Sequence, residues 1–204
     1  MPIPKIIIFT ALQSEAKAVG TVAKGKATQL YTIGIGAGAL PRDLPPARCI
    51  IMAGLAGALD PSLRIGDVIL DSDSPLGSLR RGKLHTTEQP VLTPGDKARL
   101  FGETGASAVE MENATVRDLA SSLAVPFIGI RAISDTAQDA IDPDILRWID
   151  KTGSPRIGRI AASLIARPGL LRDARRLARD SKLALRSLGL AVAEVVRELD
   201  ASRP

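Results

Sequence analysis

The stretch Ile50-Ile51-Met52-Ala53-Gly54-Leu55-Ala56-Gly57 runs without a polar break into a glycine-punctuated turn. Continuous apolarity over so few residues marks a strand covered on both faces, as in a sheet layered between helices. The same pattern recurs at residues 6–9, 31–35, 68–70 and 127–133. Helical spacing occupies residues 13–22 and 112–123, the second leading into the 127–133 run. Another glycine cluster, Gly34-Ile35-Gly36-Ala37-Gly38, follows the 31–35 run. Ligands in such sheets bind beyond the strand ends, where loops of this kind lie. The pattern predicts an α/β fold.

Outward from this core the chain changes character. Residues 71–96 are rich in Ser, Asp, Pro, Gly, Arg and Lys, with little periodicity, and are expected to be loops. Beyond Trp148 the pattern is helical. Short helices are expected at 142–149 and 157–165, and Pro168-Gly169 opens a long one. In it Leu170, Ala174, Leu177, Ser181, Leu185, Leu188, Val192, Val195 and Leu199 recur at three- and four-residue steps. The expected division is an α/β domain over residues 1–150 and a basic amphipathic helical extension over 151–204, packed on the same domain. No internal repeat is visible.

Composition narrows the chemistry. The 204 residues include one Cys and one His. Cys49 alone excludes an internal disulfide scaffold and a Cys-rich zinc site, and His85 alone excludes a multi-His metal centre. Cys49, at the start of a buried strand, is expected to be inert packing, and His85 an exposed loop residue. The net charge is +5. Residues 156–204 hold eleven basic and five acidic groups, whereas the preceding 155 hold sixteen basic and seventeen acidic. The excess therefore belongs to the C-terminal helices. Five aromatics (Phe9, Tyr31, Phe101, Phe127 and Trp148) leave little for stacking on nucleic-acid bases. Residues 5–9 form too short an apolar run for a signal peptide, and no run approaches the roughly 20 residues of a membrane span. A soluble, cytoplasmic protein is expected.

Carboxylates are then the candidates for chemistry. Val109-Glu110-Met111-Glu112-Asn113 joins a small-residue run to a helix, and Ile130-Arg131-Ala132-Ile133-Ser134-Asp135-Thr136 ends a buried strand in an acid. A carboxylate in low-dielectric surroundings can serve as a general acid. The alternative is structural: Asp135 caps a turn, and Glu112 sits near a helix N-terminus. Glu15 likewise suits the first turn of a helix. The 34–38 glycines lack GxGxxG spacing, since Ala39 stands three residues after Gly36, and Pro45 and Pro46 bar a following helix. A dinucleotide site is excluded on that pattern, as is a phosphate-binding P-loop.

Three segments in order resemble the purine nucleoside phosphorylase and nucleosidase superfamily over roughly residues 3–140. Ala53-Gly54-Leu55-Ala56-Gly57, continuing to Gly66-Asp67-Val68, resembles its glycine turn and "GD-V" signature. Val109-Glu110-Met111-Glu112 resembles its ribose-binding motif, and Arg131-Ala132-Ile133-Ser134-Asp135 its base-binding motif. Within the superfamily the chain looks most like methylthioadenosine/S-adenosylhomocysteine nucleosidases and the hopanoid-biosynthesis phosphorylase-like proteins. The latter share the shortened middle and the Arg/Leu-rich tail. The resemblance implies a three-layer fold with a mixed central sheet flanked by helices, extended by the C-terminal helices.

It also implies cleavage of the N-glycosidic bond of a 5′-substituted adenine nucleoside. By resemblance Asp135 protonates or hydrogen-bonds purine N7, and Glu15 positions or deprotonates the attacking water. Glu112, Glu110 and Met111 would hold the ribose, and Ser134 would orient Asp135. Ala56 and Gly57 belong to the binding turn, and Gln89 and Val91 to the loop that reads the adenine edge. No cofactor or metal is implied, phosphate being a co-substrate only for a phosphorylase. Met52 stands where phosphorylases place a phosphate-binding arginine, and Leu55 where relatives often carry a hydroxyl, which favours water. Adenosylhopane fits the tail, and methylthioadenosine is the other substrate. A non-catalytic nucleoside-binding protein is the alternative on the same fold. A homo-oligomer is expected, although Pro41 to Pro46 replaces a helix on which oligomer contacts are built. The basic C-terminal helix could pack on the domain, dimerise, or touch the inner membrane surface.

Overall fold

The computed structural model of the protein describes residues 5–21, 28–73, 75–148, 150 and 156–201. Its centre is a mixed sheet in the order β2-β1-β3-β8-β4-β5. These strands are β1 (Lys5–Thr10), β2 (Thr28–Thr32), β3 (Ala47–Ala58), β4 (Val68–Asp71), β5 (Arg80–Arg81) and β8 (Phe127–Asp135). Strands β1, β2, β3 and β8 are mutually parallel, and β4 runs antiparallel to β8. Two short strands, β6 (Leu84–Thr86) and β7 (Ala108–Glu110), pair with each other, and β7 adds antiparallel to the far end of β3.

Both faces of the sheet are covered, for the reason the unbroken apolar runs imply. Ile6 and Ile8 point with Ile51, Ala53, Ile130 and Ala132 into a core shared with α1 (Gln13–Gly20) and α6 (Leu170–Ala201). Ile7 and Phe9 point with Ile50 and Met52 the opposite way, onto Val116 and Ala120 of α3 (Asn113–Ser122). A period of two turns alternate residues to opposite faces, so a strand apolar at every position needs a layer on each side. The result is helices, sheet, helix. Cys49 lies buried in the first of these cores, where burial pushes its thiol up to about 12.

Helix α6 is part of this core. Ala184, Leu188, Ala191, Val192 and Val195 form its buried stripe, and Gly189 lets the helix approach α1, where a Cβ would stand 2.9 Å from the Ala18 carbonyl oxygen. Two smaller helices precede it, α4 (Pro143–Leu146) and α5 (Ile157–Ala166). Residues Val22 and Ile149, at the ends of expected helices, lie outside the described residues.

The middle of the chain departs from expectation. Residues 71–96 contain β5, β6 and the start of a further helix, α2 (Pro94–Thr104), none of which periodicity shows. Strands of two and three residues are too short to display a period. Helix α2 is defined by its ends: the Thr93 hydroxyl accepts the Asp96 N–H, Pro94 stands at the first turn, and Gly105 closes it at φ 61°. His85, expected in an exposed loop, is instead half-buried on β6, paired with Val109. The 31–35 strand sits earlier, at 28–32, because Ile35–Ala37 coils into a 3₁₀ turn. No helix follows it before β3, in keeping with the prolines.

If α6 is a structural wall of the core, Leu188→Ala should lower stability by about 3 kcal/mol, or roughly 6–12 °C in Tm. Leu190→Ala, at a position 70% exposed on the same helix, should stay within about 0.5 kcal/mol. Thermal melts of the two variants check this.

Candidate active site

A cavity of about 260 Å³ opens at the carboxyl ends of β3 and β8. Its walls come from the turn after β1, the glycine segment of β3, the β7–α3 corner, the end of β8, and Leu177 and Ser181 of α6. Glu15, Ala56, Gly57, Val91, Glu110, Met111, Glu112, Ser134 and Asp135 all line it. Gln89 does not: it is exposed, and Thr87, Pro90, Val91 and Leu92 present that loop to the cavity instead. The backbone carbonyl of Gln89 accepts the Thr87 hydroxyl at 2.9 Å.

The acidic end is organised by Arg131. It is fully buried in the middle of β8, and one guanidinium nitrogen lies 2.5 Å from Glu110 and 3.3 Å from Glu112. Glu110 does more than pair with it. Its other contacts are the backbone N–H groups of Glu112 (2.8 Å) and Asn113 (2.7 Å) at the start of α3, and the hydroxyl of Thr86. Glu110 therefore caps α3, the duty expected of its neighbour. Glu112 is left with one oxygen toward Arg131 and the other accepting the Gly36 N–H at 3.0 Å. The glycine cluster after β2 thus serves a carboxylate in the site.

Glu15 has two duties. One oxygen reaches back to the N–H groups of Ala11 (3.0 Å) and Leu12 (2.9 Å), as a capping glutamate does. The other accepts the Leu55 N–H at 2.8 Å across the cavity floor. Burial raises its pKa above the usual 4.5, the charge of Arg131 and the backbone donors opposing this only in part. Gly54 is required at this crossing, because a Cβ there would run into Arg131 and stand 3.0 Å from Glu15. Gly57 is required three residues further along β3, where a Cβ would stand 2.8 Å from Asp135.

At the other end Asp135 accepts the Ser134 hydroxyl at 2.9 Å on one oxygen and the Lys97 ammonium at 2.5 Å on the other. Lys97 is fully buried, and the carbonyls of Thr136 (2.7 Å) and Asp139 (3.1 Å) take its remaining hydrogens. Among the described residues lining the cavity, none is Lys or Arg. No group of three or more His, Cys, Asp or Glu could hold a metal ion among the described residues.

Residues 77–166 match the family model of the Phosphorylase superfamily. The 5′-methylthioadenosine/S-adenosylhomocysteine nucleosidase of Pseudoalteromonas translucida (strain TAC 125) is 29% identical over 131 residues, covering 44% of this chain. The chain spans little more than half of that relative, 56% of its length. The fold as a whole is similar to the Neisseria meningitidis nucleosidase of the same name in complex with methylthio-immucillin-A, at 18% identity. That likeness has a TM-score of 0.67 and covers 96% of this chain and 99% of the other. The Helicobacter pylori futalosine hydrolase is also similar, at 16% identity and a TM-score of 0.64, covering 96% and 98%. The mixed sheet flanked by helices is the fold of these nucleosidases.

Two residues central to the site carry no assigned role in the sequence reading, although both left a trace. Arg131 is a charge inside an otherwise apolar strand, and such a charge needs buried partners. Lys97 stands three residues before Leu100 on one face of α2, an apolar spacing that places its stem inward. Removing the guanidinium should strand two buried carboxylates. Arg131→Met is accordingly expected to lose about 3–5 kcal/mol in urea unfolding.

Proposed function

We propose that this chain is a nucleosidase that hydrolyses the N-glycosidic bond of a 5′-substituted adenine nucleoside and releases adenine. The observation that carries this reading is the unequal charge at the two ends of one cavity. Glu15, Glu110 and Glu112 surround a single Arg131, leaving a negative excess, whereas Asp135 stands opposite with its own cation. Breaking the C1′–N9 bond generates positive charge on the ribose and electron density on the base, as in glycoside hydrolysis. Fixed negative charge beside the sugar favours that separation.

In this reading Glu112 and Glu110 face the ribose hydroxyls, with Met111 as an adaptable apolar surface beneath the ring. Asp135, steadied by Ser134, meets purine N7 so that the base leaves neutral. Glu15 takes a proton from the attacking water. Ala56 and Gly57 let the base approach the backbone, and Val91 with its loop covers the adenine edge. Water is favoured over phosphate because an anionic nucleophile would enter a cavity already rich in carboxylates. No cofactor is needed for these steps.

The 5′ substituent would leave past Ile141, Leu146 and Leu177, an apolar exit suited to adenosylhopane. Methylthioadenosine and S-adenosylhomocysteine are the alternatives. A homo-oligomer, read by sedimentation equilibrium, is part of the same proposal. So is a cytoplasmic site at the inner membrane surface. The exposed side of α6 combines Arg172, Arg175, Arg179, Lys182 and Arg186 with Leu171, Leu183 and Leu190, a pattern that suits an anionic lipid face. No helix among the described residues is long and apolar enough to cross a membrane.

Incubation with each nucleoside, followed chromatographically, should yield adenine at a rate indifferent to added phosphate. Asp135→Asn and Glu15→Gln should each lower kcat by about 10²–10⁴-fold. Absence of adenine from every 5′-substituted adenosine would refute the reading.

The pH dependence has a defined sign. Glu15 must be ionised to act as a base and binds its proton more tightly than a free glutamate. Thus kcat/KM should fall on acidification along a limb centred above pH 4.5. The same shift means that its contribution to stability declines as pH rises from 4.5 through its folded value. A pH–rate profile and melts between pH 4 and 8, a span of about the usual titration range, read the two effects separately.

A further inference from the structure

The Lys97–Asp135 pair raises a problem that the proposed reaction must solve. An acid that protonates the departing base needs a proton to give. Yet both oxygens of Asp135 already accept, one from Ser134 at 2.9 Å and one from the Lys97 ammonium at 2.5 Å. A carboxylate that only accepts, against a buried ammonium, is the ionised form.

The surroundings of Lys97 are as closely paired. Its three hydrogens meet three acceptors: Asp135, the Thr136 carbonyl and the Asp139 carbonyl. The turn carrying those carbonyls is itself fixed. The Asp139 carboxylate accepts the Thr136 N–H at 2.8 Å and the Thr136 hydroxyl at 2.7 Å, and pairs with Arg176 of α6. Lys97 is 0% exposed and lies behind Asp135, whereas Asp135 lines the cavity. Burying an ammonium costs several kcal/mol even when it is paired. An apolar side chain would fill the position without that penalty.

We infer that Lys97 is a positioning residue that acts through Asp135, holding the proton the base receives; this rests on the nucleosidase reading above. As C1′–N9 breaks, its electron pair goes to the purine. One Lys97 hydrogen passes to Asp135, and Asp135 hands a proton on to N7. The carboxylate is regenerated, and Lys97 is left as a neutral amine held by the two carbonyls. Positive charge has then moved from Lys97 to the ribose, beside the surplus glutamates. Water adds its oxygen to C1′ and gives one proton to Glu15; after the products leave, Glu15 releases that proton to solvent and Lys97 takes one up. Overall one water is consumed, OH to the sugar and H to the base.

The experiment compares two substrates on the full chain. One is 5′-methylthioadenosine, whose base needs a proton. The other is the 4-nitrophenyl glycoside of 5-methylthioribose, whose leaving group departs as an anion. Lys97→Met is expected to lower kcat on the nucleoside by about 10²-fold or more, with KM changed by less than about 3-fold, and to lower kcat on the nitrophenyl glycoside by less than about 5-fold. Lys97→Arg keeps a cation and donors but cannot release a proton, so it should show the same split.

A wild-type measurement needs no variant to fold. The kcat for the nucleoside should fall at alkaline pH, and the nitrophenyl glycoside should show no such limb. Equal losses on both substrates, or matching alkaline limbs, would overturn the role of Lys97 while leaving the nucleosidase reading intact. Failure of the wild type to release adenine from any nucleoside would remove that reading, and the role of Lys97 with it.

Discussion

A guanidinium fully buried at the centre of a mixed sheet has to be matched, and the architecture around Arg131 follows from that need. An unpaired charge in a sheet covered on both faces would take about 3–5 kcal/mol from a total stability of about 5–15 kcal/mol. Glu110 and Glu112 supply the match, and to do so the β7–α3 corner must close over the end of β3. That closure leaves α3 with N–H groups to satisfy, which Glu110 also does. Gly54 has to remain a glycine because the same guanidinium occupies the space above it. Three separate segments, β3, β8 and the β7–α3 corner, are thereby held in one geometry by one side chain.

The cavity inherits its character from this arrangement. Three carboxylates share one arginine at the sugar end of the proposed site, so burial leaves Glu15 with a raised affinity for protons. At the opposite end a second buried pair, Lys97 with Asp135, is internally neutral. Two ion pairs of different balance, separated across one pocket, make a field suited to pulling charge apart. The wall between this polar floor and solvent is apolar, and α6 contributes to it through Leu177. The helix that carries the chain's basic excess on its outer side thus builds both the core and the rim.

How much of this was legible in the sequence depended on whether the signal was local. Residues 50–57 declared a buried strand and a close approach of backbone, but the glycines expected in a turn beyond the strand lie inside β3, where Arg131 and Asp135 of the neighbouring strand fill the space a Cβ would take. The helix at 170–201 was equally plain, its stripe being long enough to count. Residues 94–104 were not, since α2 is mostly polar and owes its limits to Thr93, Pro94 and Gly105. His85 misled because Ser, Asp and Gly around it imitate a loop, whereas its strand is held by β7, more than twenty residues away. Gln89 lay in the right segment but on its outward side, which only the path of the loop decides.

By itself the sequence determined the α/β class, the two covered faces of the sheet and the set of carboxylates available for chemistry, because these follow from short-range periodicity and residue type. Tertiary structure alone decided which carboxylate has which duty. Glu110, Glu112 and Glu15 differ little as local sequence, and each could cap a helix. Their partners, Arg131, Gly36 and Leu55, come from elsewhere in the chain. Lys97 is the clearest case: in sequence its spacing from Leu100 sets only the side of α2 that the two share. Only the fold brings it to Asp135, 38 residues away, where the low dielectric of the interior turns an ordinary charge into a governing one.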